Sequence, residues 1–231
     1  MHYFVTTQFA TRKNLIFFMF CVTVQTIVLN CLKSISKTMK EREIKKLEAE
    51  IKRLKKLVYY DELTGLLNRR GFKEEVEEIF LATSLRRNGE EKRTAAQLPF
   101  SIVFVDLDDF KKINDTYGHE EGDKVLKHAA KILKRLLRKN DIYARWGGEE
   151  FVVALPNATK RIAKEIAEKL RSGIEKSKIS LGGKKVTVTM SIGIVMHNHE
   201  NHLLELIEKA DKAMYKAKKS GKNRTVVFVH D

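Results

Sequence analysis

Apolar and polar positions alternate along this chain in three rhythms. From Leu15 to Leu32 the residues are dominated by Ile, Phe, Met, Val and Leu, with Thr23, Gln25, Thr26 and Asn30 among them but no ionised side chain. A run of that length is just enough to cross a bilayer as a helix. Arg12 and Lys13 precede it while Lys33, Lys37, Lys40 and Arg42 follow, so the bias of positive charge places its C-terminal side in the cytoplasm. The alternatives are a buried N-terminal segment and a cleaved signal peptide. The second is disfavoured because no small-residue cleavage site stands before the lysines.

The second rhythm is a seam. Ile44, Leu47, Ile51, Leu54 and Val58 recur at alternating spacings of three and four with Lys and Glu between them, which is the a/d pattern of a coiled coil. With about two heptads visible, an amphipathic helix packed on its own domain has the same pattern, and dimerisation is only modestly favoured.

The third rhythm fills the remainder, where strand-like and helix-like stretches alternate. The pattern predicts helices over 72–85, 119–138, 159–176 and 203–219, the second with Val125, Ala129, Ile132, Leu133 and Leu136 on one face. Strands are expected at 101–105, 142–146, 151–155, 186–195 and, at an edge, 225–229. Gly147-Gly148 suits a hairpin needing positive φ, and Gly182-Gly183 suits a second turn. Helices interleaved with strands imply an α/β sandwich whose sheet leaves one polar end open for a site.

At 231 residues the chain has room for one core plus appendages. Cys21 and Cys31 both lie in the apolar N-terminal stretch, so no disulfide framework of the secreted kind is expected. A formal charge of +15 favours polyanionic partners: nucleotides, nucleic acid or an anionic membrane. Lysine and glutamate alternate on the predicted helices, the pattern of a solvated face. No helix-turn-helix, zinc-finger or aromatic RNA-binding motif accompanies the charge, so nucleic acid is not an expected partner.

Two acidic clusters stand where strands end: Asp106 with Asp108, and Glu149 with Glu150 at the glycine hairpin. Carboxylates brought together on neighbouring strands repel unless a cation lies between them, and oxygen-only ligands suit Mg²⁺, or Mn²⁺ in its place. Acidic residues at strand ends are, as a bare pattern, more often solvated loop residues.

The local strings carry more. The segment Arg145-Trp146-Gly147-Gly148-Glu149-Glu150-Phe151 resembles the signature hairpin of the GGDEF diguanylate cyclase family in its Glu-Glu form. Asp61-Glu62-Leu63-Thr64-Gly65-Leu66-Leu67-Asn68-Arg69-Arg70 is similar to the segment that opens the family's domain. Asp106-Leu107-Asp108-Asp109-Phe110-Lys111 with Asn114-Asp115 resembles its metal and substrate loop, followed by Gly118-His119 and Gly122-Asp123. Ser191-Ile192-Gly193-Ile194, then Ala210-Asp211 through Tyr215, Ala217-Lys218 and Gly221-Lys222-Asn223, complete the likeness over roughly residues 58 to 231. Trp146 stands where another aromatic is common, and the basic loop 86–97 is of uncertain length.

That resemblance implies a central, mainly antiparallel sheet flanked by helices, as in adenylyl cyclases and polymerase palms. It divides the chain into a tail (1–14), a transmembrane helix (15–32), a coiled-coil linker (33–57) and a catalytic domain (58–231), held at the inner membrane with the catalytic part in the cytoplasm. It implies condensation of two GTP into cyclic di-GMP by a homodimer in which two half-sites face each other. Asp106, Glu149 and the Leu107 carbonyl would hold Mg²⁺, with Glu150 as an additional neighbour, and Glu149 would accept the proton of the attacking 3′-hydroxyl.

Arg145, Lys218, Lys222 and Lys111 would hold phosphates, although for the lysines a solvated face is the plain alternative. Asp123 would accept from guanine N1–H and N2–H₂ and Asn114 would serve the same edge, unless Asn114 merely caps the turn before Gly118. Arg138 and Asp141 resemble the family's RxxD product-inhibitory site. On those residues alone, a helix-ending cation and a strand-opening carboxylate is the better reading, and it is their spacing before Gly147 that favours the product site.

Overall fold

In the computed structural model the described residues are 34, 37, 39–85, 99–198 and 200–229. The chain divides into two compact units, Met1–Leu54 and Lys55–Asp231. Helix α1 runs through 39–59, and its seam residues Ile44, Leu47, Ile51 and Leu54 are 48–59 % exposed. The expected membrane segment 15–32 lies outside the described residues, as does the loop 86–97. Among the described residues no helix is long and apolar enough to cross a membrane.

The second unit is built on β1 (Phe100–Leu107), buried at all eight positions, the mark of a central strand covered on both faces. The other strands of its sheet are β2 (Ile142–Arg145), β3 (Glu150–Pro156), β6 (Met190–Met196) and β7 (Thr225–Val227), in the order β2-β3-β1-β6-β7. All neighbours are antiparallel except β6 and β7. The period of two sorts the side chains of β1. Val103 and Val105 point to the layer of α4 (His119–Leu136) and α5 (Lys160–Lys176), with Val125, Leu133, Ala163 and Leu170. Ile102 and Phe104 point to the layer of α2 (Arg69–Leu85) and α6 (Leu203–Lys219), with Phe72, Phe80, Leu206 and Met214.

Helix α6 crosses β6 so closely that a Cβ on Gly193 would lie 2.0 Å from the Ala210 carbonyl oxygen and 2.2 Å from Met214 N. Glycine there is a packing requirement. Helix α2 begins at Arg69 rather than at 72, because Asn68 Oδ1 accepts from Gly71 N at 2.9 Å and caps the first turn. Thr159 caps α5 in the same way through Ile162 N.

Two expectations are corrected. The strand predicted over 186–195 is broken. Lys184–Thr187 is β5, paired with β4 (Lys178–Leu181) as a separate two-stranded ribbon about Gly182-Gly183, and β6 begins only at Met190. The break falls where Thr189 gives its carbonyl to Asp108 N at 2.9 Å, which draws the chain onto the end of β1. The stretch after β1 is a helix, α3 (Phe110–Tyr117), and not an open loop. It has two turns and buries only Phe110 and Ile113, too short a period to read as a helix from pattern alone.

Candidate active site

The antiparallel pairing of β1 with β3 sets Asp106 opposite Glu150. The turn carrying Glu149 is fastened to both strands: Leu107 N donates to Glu149 O at 3.3 Å and Trp146 N to Glu150 O at 2.8 Å. The Glu150 carboxylate folds over the turn, 2.4 Å from where a Cβ on Gly147 would lie but free to swing aside, and neither Gly147 nor Gly148 takes the positive φ expected of the hairpin. Asp106 is 4 % exposed. One of its oxygens, Oδ2, accepts from Lys218 Nζ of α6 at 2.6 Å, and the other, Oδ1, is buried without a hydrogen-bond partner.

Burial raises the Asp106 pKa to about 6; Lys218 opposes that rise through its hydrogen bond and charge, and Glu149 and Glu150 add to it. Glu150 is also pushed up, first by burial, then by the charge of Asp211, a carboxylate of α6 that the strand-end pattern did not single out. Among the described residues no three such side chains stand close enough to hold a metal ion as they are. Lys218 occupies one face of Asp106 as the neutralising cation. The orphaned Oδ1, with Glu149 and Glu150 beside it, is a donor set of oxygens alone, which fits a hard divalent cation.

The remaining lysines differ. Lys222 Nζ donates to Asp109 Oδ1 at 2.8 Å and holds that carboxyl below the usual range, whereas Lys111 is exposed on the first turn of α3. Asn114 stands on α3 and Asp123 on α4, two helices packed against each other. The main-chain oxygen of Asn114, not its side chain, accepts from Gly118 N at 2.8 Å, so the capping alternative does not use the carboxamide. Its Oδ1 is buried without a hydrogen-bond partner, and a Cβ on Gly122 would lie 1.9 Å from it. Gly122 thus leaves the room in which the carboxamide sits. Asp123 is half-buried in the first turns of α4.

Arg138 and Asp141 lie just before β2, at the opposite end of that strand from the hairpin, on the order of 15 Å away by strand rise. Asp141 is 8 % exposed and its Oδ2 accepts from Arg138 N at 2.8 Å, while the Arg138 side chain is on the surface. The two residues close one turn.

A family model described as diguanylate cyclase, GGDEF domain, matches residues 58–224. The chain belongs to the GGDEF-domain family. Diguanylate cyclase A of Treponema denticola is 43 % identical over 145 residues, covering 62 % of this chain and 38 % of that protein. Diguanylate cyclase DgcM of Escherichia coli is 38 % identical over 184 residues, covering 80 % and 41 %. The chain therefore spans about two fifths of the length of these curated relatives. The GGDEF domain of DgcB from Caulobacter crescentus, solved in complex with c-di-GMP, superimposes with a TM-score of 0.67 at 25 % identity, covering 74 % of this chain and 95 % of that one.

Within this GGDEF domain the fold gathers Asp106, Glu149, Glu150 and Lys218 at one end of β1, with Lys222 at the rim. Two residues read from the sequence have other work. Asp108 is 4 % exposed and accepts from Thr189 Oγ1 at 2.7 Å, Ser191 Oγ at 2.6 Å and Asn223 N at 3.0 Å, so its carboxylate is spent on structure. Arg145, expected to hold a phosphate, is turned away to the hairpin's own frame. It donates to Asp61 Oδ2 at 3.1 Å and to the carbonyls of Gly147 and Gly148 at 3.2 and 2.8 Å. These contacts brace the turn that carries Glu149. Asp61 also accepts from Thr64 N and Oγ1, so the domain's opening segment and its hairpin share one carboxylate.

Proposed function

We propose that the domain joins two GTP molecules into cyclic di-GMP, releasing two pyrophosphates. The observation that carries the reading is Asp106: a buried carboxylate with one unpartnered oxygen, its pKa raised to about 6, between two other carboxylates and a lysine. Such a group is costly to bury for structure alone, and it is what a phosphoryl-transfer site needs to hold the cation that would neutralise phosphate charge. The family's cyclases support the same reaction.

In this reading Asp106, Glu149, the Leu107 carbonyl and, beside them, Glu150 hold Mg²⁺, or Mn²⁺. That ion, when bound, neutralises triphosphate charge and eases ionisation of the attacking 3′-hydroxyl. Glu149 takes the hydroxyl proton, the 3′-oxygen forms a bond to the α-phosphorus of the facing GTP, and the bond to pyrophosphate breaks. Lys218 and Lys222 offer cations to the phosphates, with Lys111 at the outer edge. Asp123 accepts from guanine N1–H and N2–H₂, which adenine cannot supply, and Asn114 Oδ1 takes a further donor of the base.

Each half-site holds one GTP, so two copies must face each other. The exposed seam of α1 supports such a homodimer by raising the local concentration of the second half-site. Arg138 with Asp141 is read as a product site that acts at a distance from Glu149. Residues 15–32 are read as a membrane anchor with the catalytic domain on the cytoplasmic side.

The test is incubation of purified protein with GTP and Mg²⁺ over a range of protein concentrations. Cyclic di-GMP and pyrophosphate in a one-to-two ratio, with specific activity rising with protein concentration, are expected. GTP left intact, or a rate independent of concentration in a demonstrated monomer, overturns the reading.

A further inference from the structure

The turn after α6 carries a backbone cost. Gly221 (φ 108), Lys222 (φ 60) and Asn223 (φ 46) lie consecutively at positive φ, a region that disfavours a lysine. Something must hold the chain there, and the contacts that do so converge on Asn223. Its N–H donates to Asp108 Oδ2 at 3.0 Å. Its side-chain oxygen accepts from Arg171 of α5 at 2.8 Å, and its side-chain nitrogen donates to Glu175 Oε1 at 2.7 Å.

Arg171 is itself aimed by Glu168 at 2.9 Å and by the other oxygen of Glu175 at 2.9 Å. Both ends of one carboxamide are therefore gripped by ionised groups, the stronger kind of hydrogen bond. A turn needed only to end a helix has no use for this. It is already closed by Gly221 N to Lys218 O at 3.3 Å and Lys222 N to Ala217 O at 3.1 Å.

What the clamp fixes is where Lys222 leaves the backbone. With Asn223 fixed to Asp108 on the inside, the Lys222 side chain is directed over the end of β1, where its ammonium meets Asp109. Asp108 thereby ties the lysine turn to the strand that carries Asp106.

We propose that Asn223, held by Arg171 and Glu175, is a positioning residue that presets Lys222 for the triphosphate, so that α5, which supplies no group to the reaction, tunes nucleotide affinity. The inference rests on the GTP reading above. A lysine held in advance loses less side-chain freedom on binding than one on a loose turn.

The experiment is a double-mutant cycle on the affinity of α,β-methylene GTP, which cannot release pyrophosphate, measured calorimetrically with Mg²⁺. Asn223→Gly removes the clamp but keeps a residue at ease at positive φ, so the fold should survive, and urea midpoints check that it does. Asn223→Gly is expected to weaken binding about tenfold, or about 1.4 kcal/mol. It should raise KM for GTP with a far smaller change in kcat, and have no further effect once Lys222→Ala is present.

Arg171→Gln, which leaves Asn223 in place and removes the ionic donor, should show a smaller loss with the same non-additivity. It keeps the test sharp if Asn223→Gly fails to fold. Losses that multiply in the double variants, or unchanged affinity in the single ones, overturn the clamp while leaving the GTP reading intact. A wild-type protein that does not bind the analogue overturns both.

Discussion

Replacing Asp106 with Asn should make the metal-free protein more stable at neutral pH while destroying its activity. The Asp106 carboxyl moves from 3.8 to about 6 in the fold, a rise of about 2 units. At 1.36 kcal/mol per unit this is a penalty of up to about 3 kcal/mol for carrying the ionised form. The sign follows from proton binding. The folded chain holds this proton more tightly than the unfolded chain, so the contribution to stability is fully present below about pH 4 and is lost as pH rises through about 6. Asparagine has no proton to lose.

Wild type and Asp106→Asn should therefore match near pH 4 and diverge to a plateau above about pH 7, the variant being more stable by up to about 3 kcal/mol. Urea unfolding in EDTA measures this. The one tryptophan, Trp146, is a built-in reporter packed edge-on against Phe72 and Phe104 at 6.0 and 6.3 Å. Millimolar Mg²⁺ should then stabilise the wild type and not the variant, because binding to the folded state alone adds stability by mass action. A difference that does not change with pH, or a variant less stable at pH 8, would refute the claim that Asp106 is a charge waiting for a cation.

Glu149→Gln should lower condensation by at least about a hundredfold with an unchanged urea midpoint, since it removes the proton acceptor and keeps the volume; retention of a tenth of the rate contradicts that role. Asp123→Ser should relax the preference for GTP over ATP, read from competing turnover, and an unaltered preference places guanine recognition elsewhere. Arg138→Ala should raise the plateau of cyclic di-GMP at nearly the same initial rate, whereas equal inhibition of variant and wild type by added product removes the regulatory site. Gly193→Ala should cost about 3 kcal/mol or more in urea unfolding, because its new Cβ would lie 2.0 Å from backbone rather than from a side chain able to move; a wild-type midpoint would mean that α6 can back away from the sheet.

Burial on one face is a property of spacing, and so the long helices and the central strand were legible without coordinates. Val125, Ala129 and Leu133 on α4, and the apolar run 102–105 within β1, could pack in few other ways. The ordered blocks likewise pointed to Asp106, Glu149, Lys218 and Lys222 as one site. The two turns of α3 and the break between β5 and β6 were not legible, because each is decided by contacts at the end of β1 and not by a local period.

The sharpest case is Asp106 and Asp108. They stand two residues apart at a strand end, and by pattern they are the same candidate. The family resemblance assigns the metal to Asp106 and not to Asp108, and the tertiary structure supplies the physical difference between them. Asp108 meets hydroxyls and an N–H from residues 81, 83 and 115 positions away and is occupied as a structural acceptor. Asp106 meets one lysine and keeps an oxygen with no partner. Arg145 shows the same division, its guanidinium claimed by Asp61 from 84 residues away. The sequence determined which groups can do the chemistry, because that is a matter of residue type and spacing. Which of them remain free to do it depends on hydrogen-bond partners brought from distant segments, and those exist only once the sheet has closed.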